Sequence, residues 1–205
     1  MNVAIFGSAT ATGQALVDAA LEDGHTVTIL ESEQGTFPYA HERLRVVEGD
    51  VFDVPSVETA MRGADAVVTA FDESLDRIPG TDRRDAMENV LAALSRFQVS
   101  RLIAVTDGDQ SRLRERISRL FDRSEGDDGR EAQATLIEAS EAAWTVVVPT
   151  RVTDGTATGD YRAGPAVGRD GAPLSRADLA AFVLDALDDE AYVRTTVTVA
   201  GASPA

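Results

Sequence analysis

Short apolar runs alternate along the chain with longer stretches whose apolar residues recur every three or four positions. NVAIF (2–6) is the first such run and predicts a buried strand. TGQALVDAALEDG (12–24) follows with Leu16, Ala19, Ala20 and Leu21 on one stripe, a helix that Gly24 stops. HTVTIL (25–30) alternates and is β-branched, so it predicts a second strand. RLRVVEGD (43–50) predicts a third. SVETAMRG (56–63) reads as a short helix with Ser56 as N-cap and Glu58 in its first turn. DAVVTAF (65–71) is the fourth strand. TDRRDAMENVLAALSRF (81–97) is a long helix with Ala86, Val90, Ala93, Leu94 and Phe97 on one side. RLIAVT (101–106) and WTVVVP (144–149) predict strands five and six. SRADLAAFVLDAL (175–187) predicts a helix and TTVTVAG (195–201) a last strand.

Strands separated by helices predict an α/β protein with a single doubly wound, mostly parallel, Rossmann-like sheet and helices on both faces. The near-continuous apolar runs VAIF, AVVTAF and LIAV suit strands buried on both sides. No repeat or low-complexity linker divides the 205 residues, so one domain is expected over 1–205. Two regions break the alternation. Residues 107–130 are polar, and residues 150–174 contain five glycines and two prolines. Both follow strand ends on the side where loops of such folds line a ligand crevice.

The first strand runs directly into Gly7, and Gly13 opens the first helix. That is the setting of a dinucleotide-binding turn. Its helix N-terminus presents unpaired N–H groups and the positive dipole end to a pyrophosphate. The alternative is an ordinary strand-to-helix turn. The second strand leads into Glu31, 18 residues beyond Gly13. An acid at about that distance accepts hydrogen bonds from the adenosine ribose hydroxyls of NAD. NADP needs a cation for its 2′-phosphate, and no Arg occurs before Arg43. NAD is therefore slightly favoured, unless Glu31 is a solvated acid on an acid-rich surface.

Charge narrows the partners. The net charge is −16, and all 19 basic residues are Arg. The acids are dispersed and do not form one tail. This suggests an acidic surface suited to a salt-rich cytoplasm, where screening removes self-repulsion. Nucleic acid is not expected as a partner, because phosphate contacts need basic surface. No run approaches the roughly 18 apolar residues of a membrane span, and no basic segment precedes the first apolar run. A cytoplasmic, non-membrane protein is expected. With no Cys, disulfides, thiolate metal sites and a cysteine nucleophile are excluded. Neither His25 nor His41 has a second ligand at metal spacing, so no metal site is expected.

VAIFGSATATG, VVEGDVFDVPSVETAMRGADAVVTA, NVLAALSRFQVSRLIAVT, AAWTVVVPTRVTDG and PLSRADLAAFVLDAL occur in that order. Together they resemble atypical short-chain dehydrogenase/reductases. The resemblance is to the NAD(P)H-binding, NmrA-like branch that includes the flavin and biliverdin reductase B type, and it covers nearly the whole chain. It implies a Rossmann fold that binds NAD(P)(H). The family motif G-x-T-G-x-x-G is matched by Gly7 and Gly13, with Ala11 and Thr12 between them and the cofactor phosphates. Thr10 stands at the middle glycine, where a side chain narrows the pyrophosphate space or its hydroxyl donates to a phosphate oxygen. The resemblance further implies that Asp50 bonds the adenine amino group and that Val51 packs beside the base. A plainer role for Asp50 is to cap a turn. It places Ala70 and Phe71 along the cofactor ribose, with Phe71 equally suited to the core. It sets Thr106 and Pro149 near the nicotinamide. Relatives carry Ser where this chain has Thr106-Asp107, and the reductase type carries His where this chain has Arg151. Asp107 is a proton donor only if burial raises its pKa. Arg151 can bind a substrate carboxylate or phosphate but cannot shuttle protons.

The superfamily's Y-x-x-x-K pair is impossible without Lys, and Tyr39, Tyr161 and Tyr192 are not in its place. The expected activity is NAD(P)-dependent hydride transfer to a flat acceptor that takes its proton from water. The alternatives are a non-catalytic dinucleotide sensor, or a scaffold with a vestigial pocket. SRLRERISRLFDR (111–123) predicts an amphipathic helix, either a basic wall for an anionic substrate or a packing helix. The substrate and the oligomeric state are left open.

Overall fold

The computed structural model describes residues 1–32, 37–72, 75, 83–106, 128–165, 167 and 171–202, with the backbone alone for 128–132. Eight strands form the main sheet: β1 (Asn2–Phe6), β2 (Thr26–Glu31), β3 (Leu44–Glu48), β4 (Ala66–Thr69), β5 (Arg101–Val105), β6 (Ala143–Pro149), β8 (Tyr161–Gly164) and β10 (Thr195–Gly201). Their order is β3-β2-β1-β4-β5-β6-β10-β8. Every neighbouring pair is parallel except β10 with β8. The doubly wound fold expected from the sequence is thus the observed one.

Chain order reverses between β1 and β4, so the strand ends there open a crevice. Helices α1 (Ala11–Glu22) and α5 (Arg176–Asp188) cover one face of the sheet. Helices α2 (Val54–Met61), α3 (Arg83–Phe97) and α4 (Asp128–Ala139) lie on the other. Each face has its own apolar core. Val3, Ile5, Val68 and Ile103 point toward α1 and α5, while Ala4, Phe6, Val67 and Leu102 point toward α2 and α3. Alternate residues of one strand feed both layers, which is why these strands read as unbroken apolar runs.

The start of α2 differs from the expectation. Its N-cap is Asp53, not Ser56: the Asp53 carboxylate accepts from the Ser56 N–H at 3.0 Å and from its hydroxyl at 2.5 Å. Pro55 in the first turn lacks the N–H that a helix leaves unpaired there, so the helix begins earlier than its apolar spacing suggests. Helix α1 ends as expected, with Gly24 at φ +84° and the His25 N–H returning to the Ala20 carbonyl.

The described part of residues 150–174 holds more regular structure than a glycine-rich loop. They contain β7 (Val152–Thr153), paired with β9 (Leu174–Ser175), and the antiparallel edge strand β8. Helix α4 was not expected either. Its apolar residues are sparse in a polar stretch, and Ile137 supplies its fully buried contact. The Arg-rich segment 111–123 lies outside the described residues.

At the end of the sheet away from the crevice, Arg101 is buried at the start of β5. It donates to the carbonyls of Leu187 (3.1 Å), Ala143 (2.6 Å) and Ala186. Two of these are unpaired carbonyls of the last turn of α5, where a cation also meets the negative dipole end. Burial lowers the Arg101 pKa, opposed by Asp188 and Asp189. Arg101→Met, which keeps the stem and removes the donors, is expected to lower stability by about 2–3 kcal/mol in urea denaturation.

Candidate functional site

The turn after β1 is built around two glycines that tolerate no side chain. Gly7 has φ +91°, and a Cβ there would stand 2.4 Å from the Ala70 carbonyl oxygen beyond β4. A Cβ on Gly13 would stand 2.0 Å from the Gly7 carbonyl oxygen. These contacts let α1 start directly on top of the sheet. Gly7 lines the rim of a cavity, whereas Gly13 is buried beneath it and touches none.

Thr10 lies between them in ordinary extended backbone, φ −75° and ψ 155°, so no glycine is needed there. It is the N-cap of α1. Its hydroxyl accepts from the Gly13 N–H at 2.9 Å and donates to the Gly7 carbonyl at 2.9 Å, with the Ala70 carbonyl 3.4 Å away. In this arrangement the hydroxyl's one proton goes to the backbone and not into the cavity. The N–H groups of Ala11 and Thr12 have no acceptor among the described residues and sit at the positive end of the helix dipole.

Two cavities meet at this helix start. The larger, about 620 Å³, runs past Ala11, Thr12, Ala70, Thr106, Pro149 and Arg151. The smaller, about 220 Å³, runs past Gly7, Ser8, Glu31, Asp50 and Val51. Thr10, Phe71 and Asp72 line both. The structure therefore brings the candidates from the ends of β1, β2 and β3 to one side of Thr10, and those from the ends of β5 and β6 to the other. Asp107 lies outside the described residues.

Glu31 is only 6% exposed, so it is not a solvated surface acid. It ends β2, and its Oε1 accepts from the Ser8 hydroxyl at 2.6 Å. Asp50 is exposed, and its Oδ1 accepts from the Phe52 N–H at 3.0 Å. That is the turn role, performed while Asp50 still lines the smaller cavity. The Val51 carbonyl accepts from the Asn89 side chain at 3.0 Å, which fixes this wall to α3. Phe71 is 3% exposed and packs in the α2/α3 core while its edge reaches both cavities. Thr106 donates both its N–H (2.9 Å) and its hydroxyl (3.2 Å) to the Val147 carbonyl. Pro149 ends β6 beside Val199. Arg151 is exposed at the mouth of the larger cavity.

The NAD(P)H-binding family matches this chain over residues 7–190. The chain belongs to that family. The nicotinamide dinucleotide expected from the sequence is thus the family's ligand, and the match takes in the glycine turn, both cavities and α5. Solved structures share the fold. An anaerobillin reductase from Escherichia coli is similar over all of both chains, with TM-score 0.78 and 18% identity. A wide-type short-chain dehydrogenase/reductase from Veillonella parvula, in complex with NADP, has TM-score 0.76 and 23% identity, covering 97% of this chain and 94% of that one. A Rossmann-fold NAD(P)-binding family protein from Shigella flexneri has TM-score 0.76 and 21% identity, covering 100% and 97%.

Several lining residues of this NAD(P)H-binding protein escape sequence reading. Ser8 is a motif filler until its hydroxyl is seen on Glu31. Thr150 donates to the Ala172 carbonyl at 3.1 Å and ties the β6 end to the returning chain. Arg176 reaches the larger cavity from the first turn of α5, 25 residues after Arg151. The pairing of β7 with β9, together with the Thr150–Ala172 bond, folds it back there. The three tyrosines line neither cavity. Tyr161 and Tyr192 pack edge-on against Phe182. Burial, then the Asp185 carboxylate it bonds, push the Tyr161 phenol up to about 12. Among the described residues, no helix is long and apolar enough to cross a membrane.

Proposed function

We propose that this chain is an NAD(P)-dependent oxidoreductase of the atypical short-chain type, acting by position on a flat acceptor. The observation that carries this reading is the pair of cavities meeting at the bare N–H groups of Ala11 and Thr12, at the switch point of the sheet. In this reading the smaller cavity takes the adenosine end, with Glu31 toward the ribose hydroxyls and Asp50 and Val51 beside the base. The pyrophosphate rests on the α1 start. The larger cavity takes the nicotinamide and the acceptor.

When bound, the nicotinamide supplies a hydride, two electrons and one hydrogen; a second proton comes from water. The chain's own part is to hold two rings together. Ala70 and Phe71 form one wall, and Thr106 and Pro149 frame the other. Thr106 uses its proton on Val147 and serves as wall, not acid. Arg151 binds an anionic group of the acceptor. Asp107 follows Thr106 directly in the sequence and frames the same spot in this reading. A dinucleotide sensor is the second reading, favoured by the commitment of both Thr10 and Thr106 hydroxyls to the backbone.

We read the chain as one cytoplasmic domain whose charge suits high salt, so the test runs in molar salt. Titrations with NAD, NADH, NADP and NADPH are expected to show saturable binding with NADH tighter than NADPH. Glu31→Ala is expected to weaken NADH about tenfold, one charge-assisted hydrogen bond, and to narrow the gap to NADPH. Binding of none of the four at millimolar levels would sink both readings. A preference for NADPH would remove the role of Glu31. Oxidation of NADH with added flavin or quinone separates enzyme from sensor.

A further inference from the structure

The larger cavity gathers two cations in an acid-rich chain. The chain carries −16 overall, yet among the described residues the charged side chains lining this cavity are Arg151, Arg176 and Asp72. Low-dielectric walls focus such a local excess. Arg176 is held in an unusual way. Its Nη1 pairs with Asp154, whose side chain is 94% exposed, whereas the Arg176 side chain is 21% exposed. Its Nε is buried and has no partner among the described residues. An orphaned buried donor is costly, while an ion pair with so exposed a partner contributes little. The guanidinium is therefore poorly satisfied where it stands.

We propose that Arg176, parked on Asp154, forms with Arg151 an anion subsite that selects acceptors carrying a phosphate or carboxylate beside their flat ring. This rests on the oxidoreductase reading above. The anion displaces Asp154, and the guanidinium turns to it, giving Nε the acceptor it lacks. A planar fork suits such oxyanions. Arg176 stands on the first turn of α5, beside the mouth of the cavity. Asp154 is a competitor for the site, and its removal acts in the opposite direction from removal of Arg176.

FMN and riboflavin are the probes, because they share one redox ring and differ by a phosphate. Binding is read by flavin-fluorescence quenching and turnover by NADH oxidation, at one fixed salt concentration. The wild-type protein is expected to prefer FMN. Arg176→Gln is expected to lower the FMN-to-riboflavin affinity ratio about tenfold, and Asp154→Asn to raise it about threefold. Equal affinities for the two flavins in the wild type, or a ratio unmoved by both substitutions, overturns the subsite. NADH affinity is measured in the same variants. A fall for NADH matching the fall for FMN assigns the guanidinium to the cofactor's phosphates and overturns the acceptor assignment. Absence of turnover with both flavins and with quinone overturns the oxidoreductase reading, while the affinity ratio still decides the subsite.

Discussion

Gly13→Ala is expected to lower stability by about 3 kcal/mol and to abolish measurable cofactor binding in whatever protein remains folded. The added Cβ would stand 2.0 Å from the Gly7 carbonyl oxygen, a backbone atom that no rotamer change can move. Overpacking of this kind costs about 1–3 kcal/mol, and the upper end applies when backbone must shift. Gly7→Ala meets the same obstacle at Ala70 and adds a positive φ that a side chain disfavours by about 1–2 kcal/mol. For a chain of this size about 3 kcal/mol corresponds to roughly 6–12 °C in Tm. Thermal unfolding with and without NADH measures both parts. A Gly13→Ala protein with unchanged Tm and unchanged NADH affinity would show that α1 does not start hard against the strand turn.

The second large effect is expected at Asp178, which is 2% exposed. Its carboxylate accepts from the Thr158 N–H (2.7 Å), the Gly159 N–H (2.8 Å), the Thr158 hydroxyl (2.9 Å) and the Ser175 hydroxyl (2.6 Å). Ser175 in turn accepts from the Asp178 N–H at 3.0 Å as the N-cap of α5. Burial works against the charge, but the bonds from Ser175, Gly159 and Thr158 outweigh it and hold the carboxyl below its usual range. The folded protein thus binds this proton more weakly than the unfolded chain. The stabilisation is complete above the unfolded value near pH 4 and is lost as pH falls through the lower folded one. Asp178→Ala strands its donors and is expected to cost about 3–4 kcal/mol at pH 7. Asp178→Asn is expected to cost about half of that. The gap between wild type and either variant should narrow as pH falls below about 4. A gap that is constant from pH 7 to pH 3 would mean that the carboxylate's charge contributes nothing.

The fold was legible because two periodicities rarely overlap in this chain. AVVTAF and LIAV have no helical stripe, and the α1 and α3 segments have no alternation. What escaped depends on contacts remote in sequence. Edge strand β8, YRAG, carries little apolar signal of its own and exists through its register with β10. The N-cap of α2 was displaced because Asp53 and Ser56 are both good caps, and only the direction of their hydrogen bond decides between them. At the site, positions tied to strand ends were readable from the order of strands. Glu31 was readable by distance along the chain, but its burial by Ser8 was not. Arg176 had no local signal, because its place comes from a two-residue pairing of β7 with β9.

The side chain at position 10 also bears on the timing of ligand capture. One hydroxyl joins the α1 start, the Gly7 turn and the strand end at Ala70. A rim cross-braced in this way has little freedom left to lose when an anion settles on it. The entropic penalty of ordering the loop falls on folding, before any ligand arrives. The α1 start therefore needs little further ordering to meet an anion.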